Sequence, residues 1–157
     1  MLKINHIIKC SAPGKTHEKL KTRLAIFAQK HGYDHSPIFD LPGCTPDVFL
    51  ASNQIDSVFV GDAKDSSNET VGNNQTLERI KKYIATVKDC LIAEQCKYVR
   101  FAIATNDEKA VDEWTETLEK LFEESGFMDS NSSVVSFAKK YDNEAWITSG
   151  LFQLKED

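Results

Sequence analysis

Cysteines at metal-chelating spacing are missing from this sequence. Cys10, Cys44, Cys90 and Cys96 form no C-x-x-C pair and sit in apolar or helical stretches, which argues against a zinc cage or disulfide framework and for reduced, packed thiols. Long apolar runs are missing too. The opening MLKINHIIKC lacks the apolar core of about 7–15 residues that a secretory signal carries, and no stretch approaches the roughly 20 apolar residues that span a bilayer. A soluble, cytoplasmic protein with no membrane partner is therefore expected, and the Asn-x-Ser/Thr matches at Asn68 and Asn131 carry no weight. Positive net charge is absent as well. The chain carries −5, which by itself speaks against nucleic acid, because phosphate contacts need Lys and Arg.

The charge that is present is unevenly spread. Residues 1–33 hold seven Lys/Arg against one acid, residues 34–104 seven against ten, and residues 105–157 five against thirteen. A basic front and an acidic rear can still meet a polyanion through one face. With 157 residues, 41% of them hydrophobic, one core can be buried, and residues 1–157 read as a single domain without repeats or low-complexity segments.

From Lys15 to His31 the apolar positions Leu20, Leu24, Phe27 and Ala28 recur at three- and four-residue spacing, predicting a helix with Thr16 as N-cap and Gly32 as its stop. Residues 33–41 can hold a short edge strand. The runs Asp47–Ala51 and Ser57–Gly61, rich in β-branched and aromatic residues and joined by a polar connection, predict an antiparallel hairpin. A polar loop, DSSNETVGNN, precedes a helix over about 74–94 with Leu77, Ile80, Ile84, Val87 and Leu91 on one face. Then come a strand over Tyr98–Ala104, an acidic helix over about 107–125, and candidate strands near 133–139 and 145–153 around a turn at Tyr141–Glu144. The expected fold class is α/β, a central mixed β-sheet flanked by helices in the order α-β-β-β-α-β-α-β.

Only one of the four prolines precedes an aspartate, Pro46-Asp47. Asp47 opens the first hairpin strand and Asp62 closes the second, so the pairing brings both carboxylates to one end of the hairpin, where they can share a metal ion. Lys64, two residues after Asp62, projects from the same face while the chain stays extended. Phosphodiester hydrolysis asks for a hard cation that neutralises phosphate and acidifies water, and Mg²⁺ prefers oxygen ligands from one or two carboxylates plus water. Lys64 can then orient or help deprotonate the attacking water.

Pro46-Asp47, a fifteen-residue step, and Asp62-Ala63-Lys64 at the end of an apolar strand and ahead of a helix resemble the PD-(D/E)XK nucleases. That superfamily includes many restriction endonucleases, Holliday-junction resolvases and nuclease domains of recombination and repair enzymes. Its core of a helix, three strands, a helix and a strand matches residues 15–104. The resemblance implies a restriction endonuclease-like fold, metal ligation by Asp47, Asp62 and the main-chain carbonyl of Ala63, and Lys64 as the catalytic lysine. It implies Mg²⁺, with Mn²⁺ able to substitute, and DNA cleaved to leave a 5′-phosphate. Many members add a first-helix glutamate near the metal. Glu18 is the acid available there, although His17 lies closer to the Leu20/Leu24/Phe27 face. Some repair-type members carry Gln and Tyr four apart on the helix after the lysine; here Gln75, Arg79 and Tyr83 follow at that step, so the pattern is partly met.

Gln75, Arg79 and Lys82 on that helix and Lys19 on the first are the candidate nucleic-acid contacts, with Lys81, Lys88, Lys15, Lys21 and Arg23 nearby. The plainer readings remain: Asp47 as a turn residue after proline, Asp62 as a solvated strand terminus, Glu18 as a first-turn carboxylate favoured by the helix dipole, and the basic residues as solvated helix faces. Asp107-Glu108-Lys109 matches D-x-K with no Pro-Asp hairpin before it and reads as chance. Ala12-Pro13-Gly14-Lys15-Thr16 resembles the end of a phosphate-binding loop, but the first glycine of that motif falls on Lys9. His31 and His35 flank Gly32 rather than sharing a helix face. Trp114, Leu118, Leu121 and Phe122 read as core, with Glu113, Glu116, Glu119 and Glu123 outside. A metal-dependent DNA endonuclease is the leading expectation. The alternative is a catalytically silent nucleic-acid- or protein-binding module, a subunit of a defence or repair complex. The acidic 105–157 region points to a homodimer or a partner subunit in either case.

Overall fold

A computed structural model describes residues 15–129, 136–141 and 145–156. Helix α1, Lys15–Lys30, is followed by β1 (Tyr33–His35), β2 (Val48–Ser52) and β3 (Ser57–Lys64), then α2 (Asn74–Ile92), β4 (Tyr98–Thr105), α3 (Glu108–Glu124) and the strands β5 (Phe127–Asp129), β6 (Ser136–Tyr141) and β7 (Ala145–Leu154). The α/β class and the α-β-β-β-α-β-α order are as the hydrophobic periodicity predicts. The chain differs at three points. Helix α1 begins at Lys15, so Thr16 is inside its first turn rather than at its cap. The strand expected near 133–139 runs over Ser136–Tyr141. A three-residue strand, β5, precedes it, too short to show alternation in the sequence. Cys10, Asn131, residues 12–14 and residues 142–144 lie outside the described residues.

The strands form one mixed sheet in the order β1-β2-β3-β4-β7-β5, with β6 sharing the outer edge of β7. The β2–β3 hairpin is antiparallel, Val48 facing Gly61 and Ala51 facing Val58. β3 and β4 are parallel from Ser57↔Tyr98 to Lys64↔Thr105, and α2 makes the crossover that such a pair requires. β7 runs antiparallel to β4. Helices cover both faces, which is why all eight residues of β3 are buried.

Strand alternation divides the core into two layers. Val58, Val60, Val99, Phe101 and Ile103 pack against Ile80, Tyr83, Val87, Trp114 and Phe122 of α2 and α3. Phe59, Ala63, Ala102 and Ala104 face Leu20, Leu24, Ala25 and Ala28 of α1. Phe122 stacks on Phe152 with centroids 3.9 Å apart. Gly61 lies on the α1 side, where a β-carbon would come 2.7 Å from Phe59 and 2.9 Å from Leu24, so glycine lets α1 approach the sheet this closely. No helix among the described residues is long and apolar enough to cross a membrane.

Candidate functional site

The hairpin register that pairs Val48 with Gly61 continues to Asp47 beside Asp62. The main-chain amide of Asp47 donates to Oδ1 of Asp62 at 2.9 Å, and the amide of Ala63 donates to Oδ2 of Asp47 at 2.8 Å. Each carboxylate thus binds the backbone of the other strand, at the end where β3 leaves the sheet. Asp62 and Lys64 share the phase of Val58 and Val60. The Lys64 ammonium donates to Oδ2 of Asp62 at 2.7 Å, and both residues are buried, 1% and 3% exposed. Burial pushes the Asp62 carboxyl up from 3.8 to about 6, with the Lys64 charge opposing the rise and Asp47 adding to it. Asp62 is therefore no solvated strand terminus.

The N-terminal part of α1 reaches Asp47 from the other layer. Lys21 Nζ lies 3.5 Å from Asp47 Oδ1 and 3.9 Å from Glu18 Oε1, and His17 Nε2 lies 3.5 Å from Asp47 Oδ2. Lys21 is 2% exposed, so it is not the solvated phosphate contact that a run of basic residues suggests. Glu18 joins the cluster through Lys21. Its Oε1 is buried with no hydrogen-bond partner among the described residues, as are His17 Nδ1 and the hydroxyl of Thr105, the register partner of Lys64.

From the loop after β3, Glu69 Oε2 lies 3.5 Å from Lys64 Nζ. Tyr83 of α2 donates to the carbonyl of Thr45 at 3.3 Å, fixing the loop that delivers Pro46 and Asp47. Burial pushes its hydroxyl well up, and Asp62 raises it further, while Arg79 works the other way.

Gln75, Arg79 and Lys82 are exposed on α2, and Lys19 is exposed on α1. The two helices flank the sheet on opposite faces, and among the described residues no hydrogen bond or ion pair joins these four side chains to Asp47 or Asp62. Lys82 lies against Gly43, in the loop before Asp47. Asn73, in contrast, caps α2 by accepting the Thr76 amide, and Asp107 caps α3 by accepting the Ala110 amide, which accounts for the second D-x-K match. The sequence marked His17 only as a neighbour of the apolar face and Lys21 only as one basic residue among several, and it did not mark Glu69 at all. The one signal for His17 and Lys21 was their four-residue spacing next to the Leu20/Leu24 stripe, and a lone glutamate in a polar loop carries none.

Four carboxylates and two ammonium groups meet in this cluster. The carboxylates of Asp47 and Asp62 offer oxygen, the ligand atom that hard cations take. Four carboxylates against two ammonium groups leave a surplus of acid charge, and of the four only Asp62 is buried. Among the described residues no three His, Cys, Asp or Glu side chains converge as a chelating group. A cation here would therefore rest on Asp47, Asp62, the Ala63 carbonyl and water, a set that Mg²⁺ tolerates. Two clefts of about 350 and 390 Å³ open elsewhere on the surface, one beside Phe127 and Phe152 and one beside Cys96 and Leu154.

Comparison with protein-family models gives no match, and comparisons with curated proteins and with solved structures give none either.

Proposed function

We propose that this chain is a metal-dependent DNA endonuclease built on a PD-(D/E)XK, restriction endonuclease-like core. The observation that carries the reading is the reciprocal pairing of Asp47 with Asp62 at one sheet end, with buried Lys64 bonded to Asp62. Asp47, Asp62 and the carbonyl of Ala63 would hold Mg²⁺, or Mn²⁺ in its stead. When bound there, the cation would neutralise phosphate charge and acidify a water, and attack of that water at phosphorus would leave the 5′-phosphate that the family resemblance implies. Lys64 keeps a cationic donor beside that water and the phosphate. Lys21 and His17 hold Asp47 in position from α1, with Glu18 behind Lys21. Tyr83 holds the Thr45–Asp47 loop from α2. Lys19 on one side and Gln75, Arg79 and Lys82 on the other contact DNA, mainly at backbone phosphates. A second copy or another subunit enlarges the phosphate-binding area that an acidic chain of this size offers.

One observation favours a second reading, a catalytically silent nucleic-acid- or protein-binding module on the same fold. All four oxygens of Asp47 and Asp62 already have a protein partner, as a purely structural lock would require. Supercoiled plasmid incubated with the protein and Mg²⁺ or Mn²⁺ separates the two. Cleavage by the wild type that Asp62→Ala and Lys64→Ala each abolish is the expected result. Cleavage that survives both sinks the site assignment, and binding without cleavage supports the module.

A further inference from the structure

Lys64 is clamped between two carboxylates of unequal standing. Its Nζ makes a short charge-assisted bond to Asp62 Oδ2 at 2.7 Å, while Glu69 Oε2 stands at 3.5 Å, an ion-pair distance rather than a full hydrogen bond. At 1% exposure Lys64 has no bulk water to turn to. Glu69 is meanwhile held ready. Its Oε1 accepts the Asp65 amide at 3.3 Å, and its own amide donates to the Asp65 carbonyl at 2.8 Å. Asp65 in turn accepts the Ser67 amide and hydroxyl, which hold its carboxyl below the usual range, and the Ser66 amide is tied to Asn106. The turn Asp65–Glu69 is thus closed on itself and presents one carboxylate oxygen towards the lysine.

A divalent cation on Asp62 would compete with the Lys64 ammonium for the same carboxylate, because two positive charges held this close repel each other. We infer that Glu69 is the second seat of Lys64. When a divalent cation engages Asp62, the Lys64 ammonium shifts from Asp62 Oδ2 to Glu69 Oε2, and Glu69 thereby sets how tightly the site takes the cation. This rests on the proposed metal site. Glu69 is a positioning residue in this scheme, acting through Lys64. Its carboxylate neither ligates the cation nor touches substrate.

The test reads cation binding rather than cleavage, by calorimetry with Mg²⁺ and by the electron paramagnetic resonance signal of free Mn²⁺. Glu69→Gln is expected to weaken cation binding about tenfold, a typical size for a coupling between neighbouring sites. Lys64→Gln removes the competitor and strengthens binding. In the Lys64→Gln background Glu69→Gln is expected to change the affinity by less than about twofold, the mark of an effect relayed through the lysine. Lys64→Met provides the same background if the glutamine variant does not fold. An unchanged affinity in Glu69→Gln overturns the inference. So does an equal loss in both backgrounds, which would make Glu69 a ligand or a simple source of field. Absence of any wild-type binding that Asp62→Asn removes overturns the metal site itself, a failure distinct from that of Glu69.

Discussion

Asp47 and Asp62 hold each other by exchange: the Asp47 amide bonds the Asp62 carboxylate at 2.9 Å, and the Asp47 carboxylate bonds the amide next to Asp62, that of Ala63, at 2.8 Å. The pair is at once a stitch between β2 and β3 and the floor of the candidate site. Its two roles separate by experiment.

Asp47→Ala removes the stitch and takes from buried Lys21 the charge 3.5 Å away. Breaking one side of a buried pair typically costs about 3–5 kcal/mol, and because Asp47 is partly exposed about 2–4 kcal/mol is expected. Urea unfolding measures it. Asp47→Ala combined with Lys21→Met should lose less stability than Asp47→Ala alone, since no ammonium then stays buried without its aspartate. A double variant less stable than the single one would contradict this.

Asp62 makes stability depend on pH. Its carboxyl loses its proton near 3.8 in the unfolded chain and near 6 in the fold. Between those values the fold binds more protons, so this contribution is complete below about pH 4 and is lost as the pH rises through 6. The rise corresponds to about 3 kcal/mol. In EDTA, the stability of wild type minus that of Asp62→Asn is expected to fall as the pH goes from about 4 to about 7. A difference that grows with pH would count against the buried carboxyl.

Gly61→Ala puts a β-carbon 2.7 Å from the Phe59 ring and 2.9 Å from Leu24. Overpacking of this kind costs about 1–3 kcal/mol, and relief requires the Phe59 ring and the Leu24 side chain of α1 to give way, which loosens the packing that holds His17 and Lys21 beside Asp47. Both a lowered urea midpoint and weakened cation binding are expected. Full stability in the alanine variant would mean that α1 does not sit where described.

For nucleic acid, Lys19→Ala, Arg79→Ala and Lys82→Ala should each weaken binding across sequences and reduce the slope of log K against log salt by about 1. Lys97→Ala, just before β4 at the opposite end of the sheet, serves as control and should leave the slope unchanged. Fluorescence anisotropy over a salt series reads both. Equal effects from all four would remove the case for a defined face.

The hairpin was legible because Asp47–Ala51 and Ser57–Gly61 are short runs rich in β-branched and aromatic residues around a polar connection, and from that pairing alone the meeting of Asp47 with Asp62 follows. Helix α2 was legible from its apolar stripe, Leu77 to Leu91, which spans about four turns. Lys21 was not legible. Amid Lys15, Lys19 and Arg23 it reads as one more solvated cation, and only the docking of α1 against Gly61 carries it inward to Asp47. Glu69 was hidden differently, since its place beside Lys64 depends on a loop closed by side-chain bonds that leave no periodic trace. The short β5 has no local pattern at all: β7 recruits Phe127–Asp129 by pairing, and Phe127 packs under Phe122.

At the other end of the sheet, β1 has three residues, slips register against β2 between Tyr33 and His35, and runs out into Ser36-Pro37. An incoming strand finds there neither the length nor the regular row of amides and carbonyls needed to add on, and the proline withholds a donor where the row would continue. This border therefore resists runaway fibrous stacking, and an assembly between copies has to be made through side chains rather than by lengthening the sheet at β1.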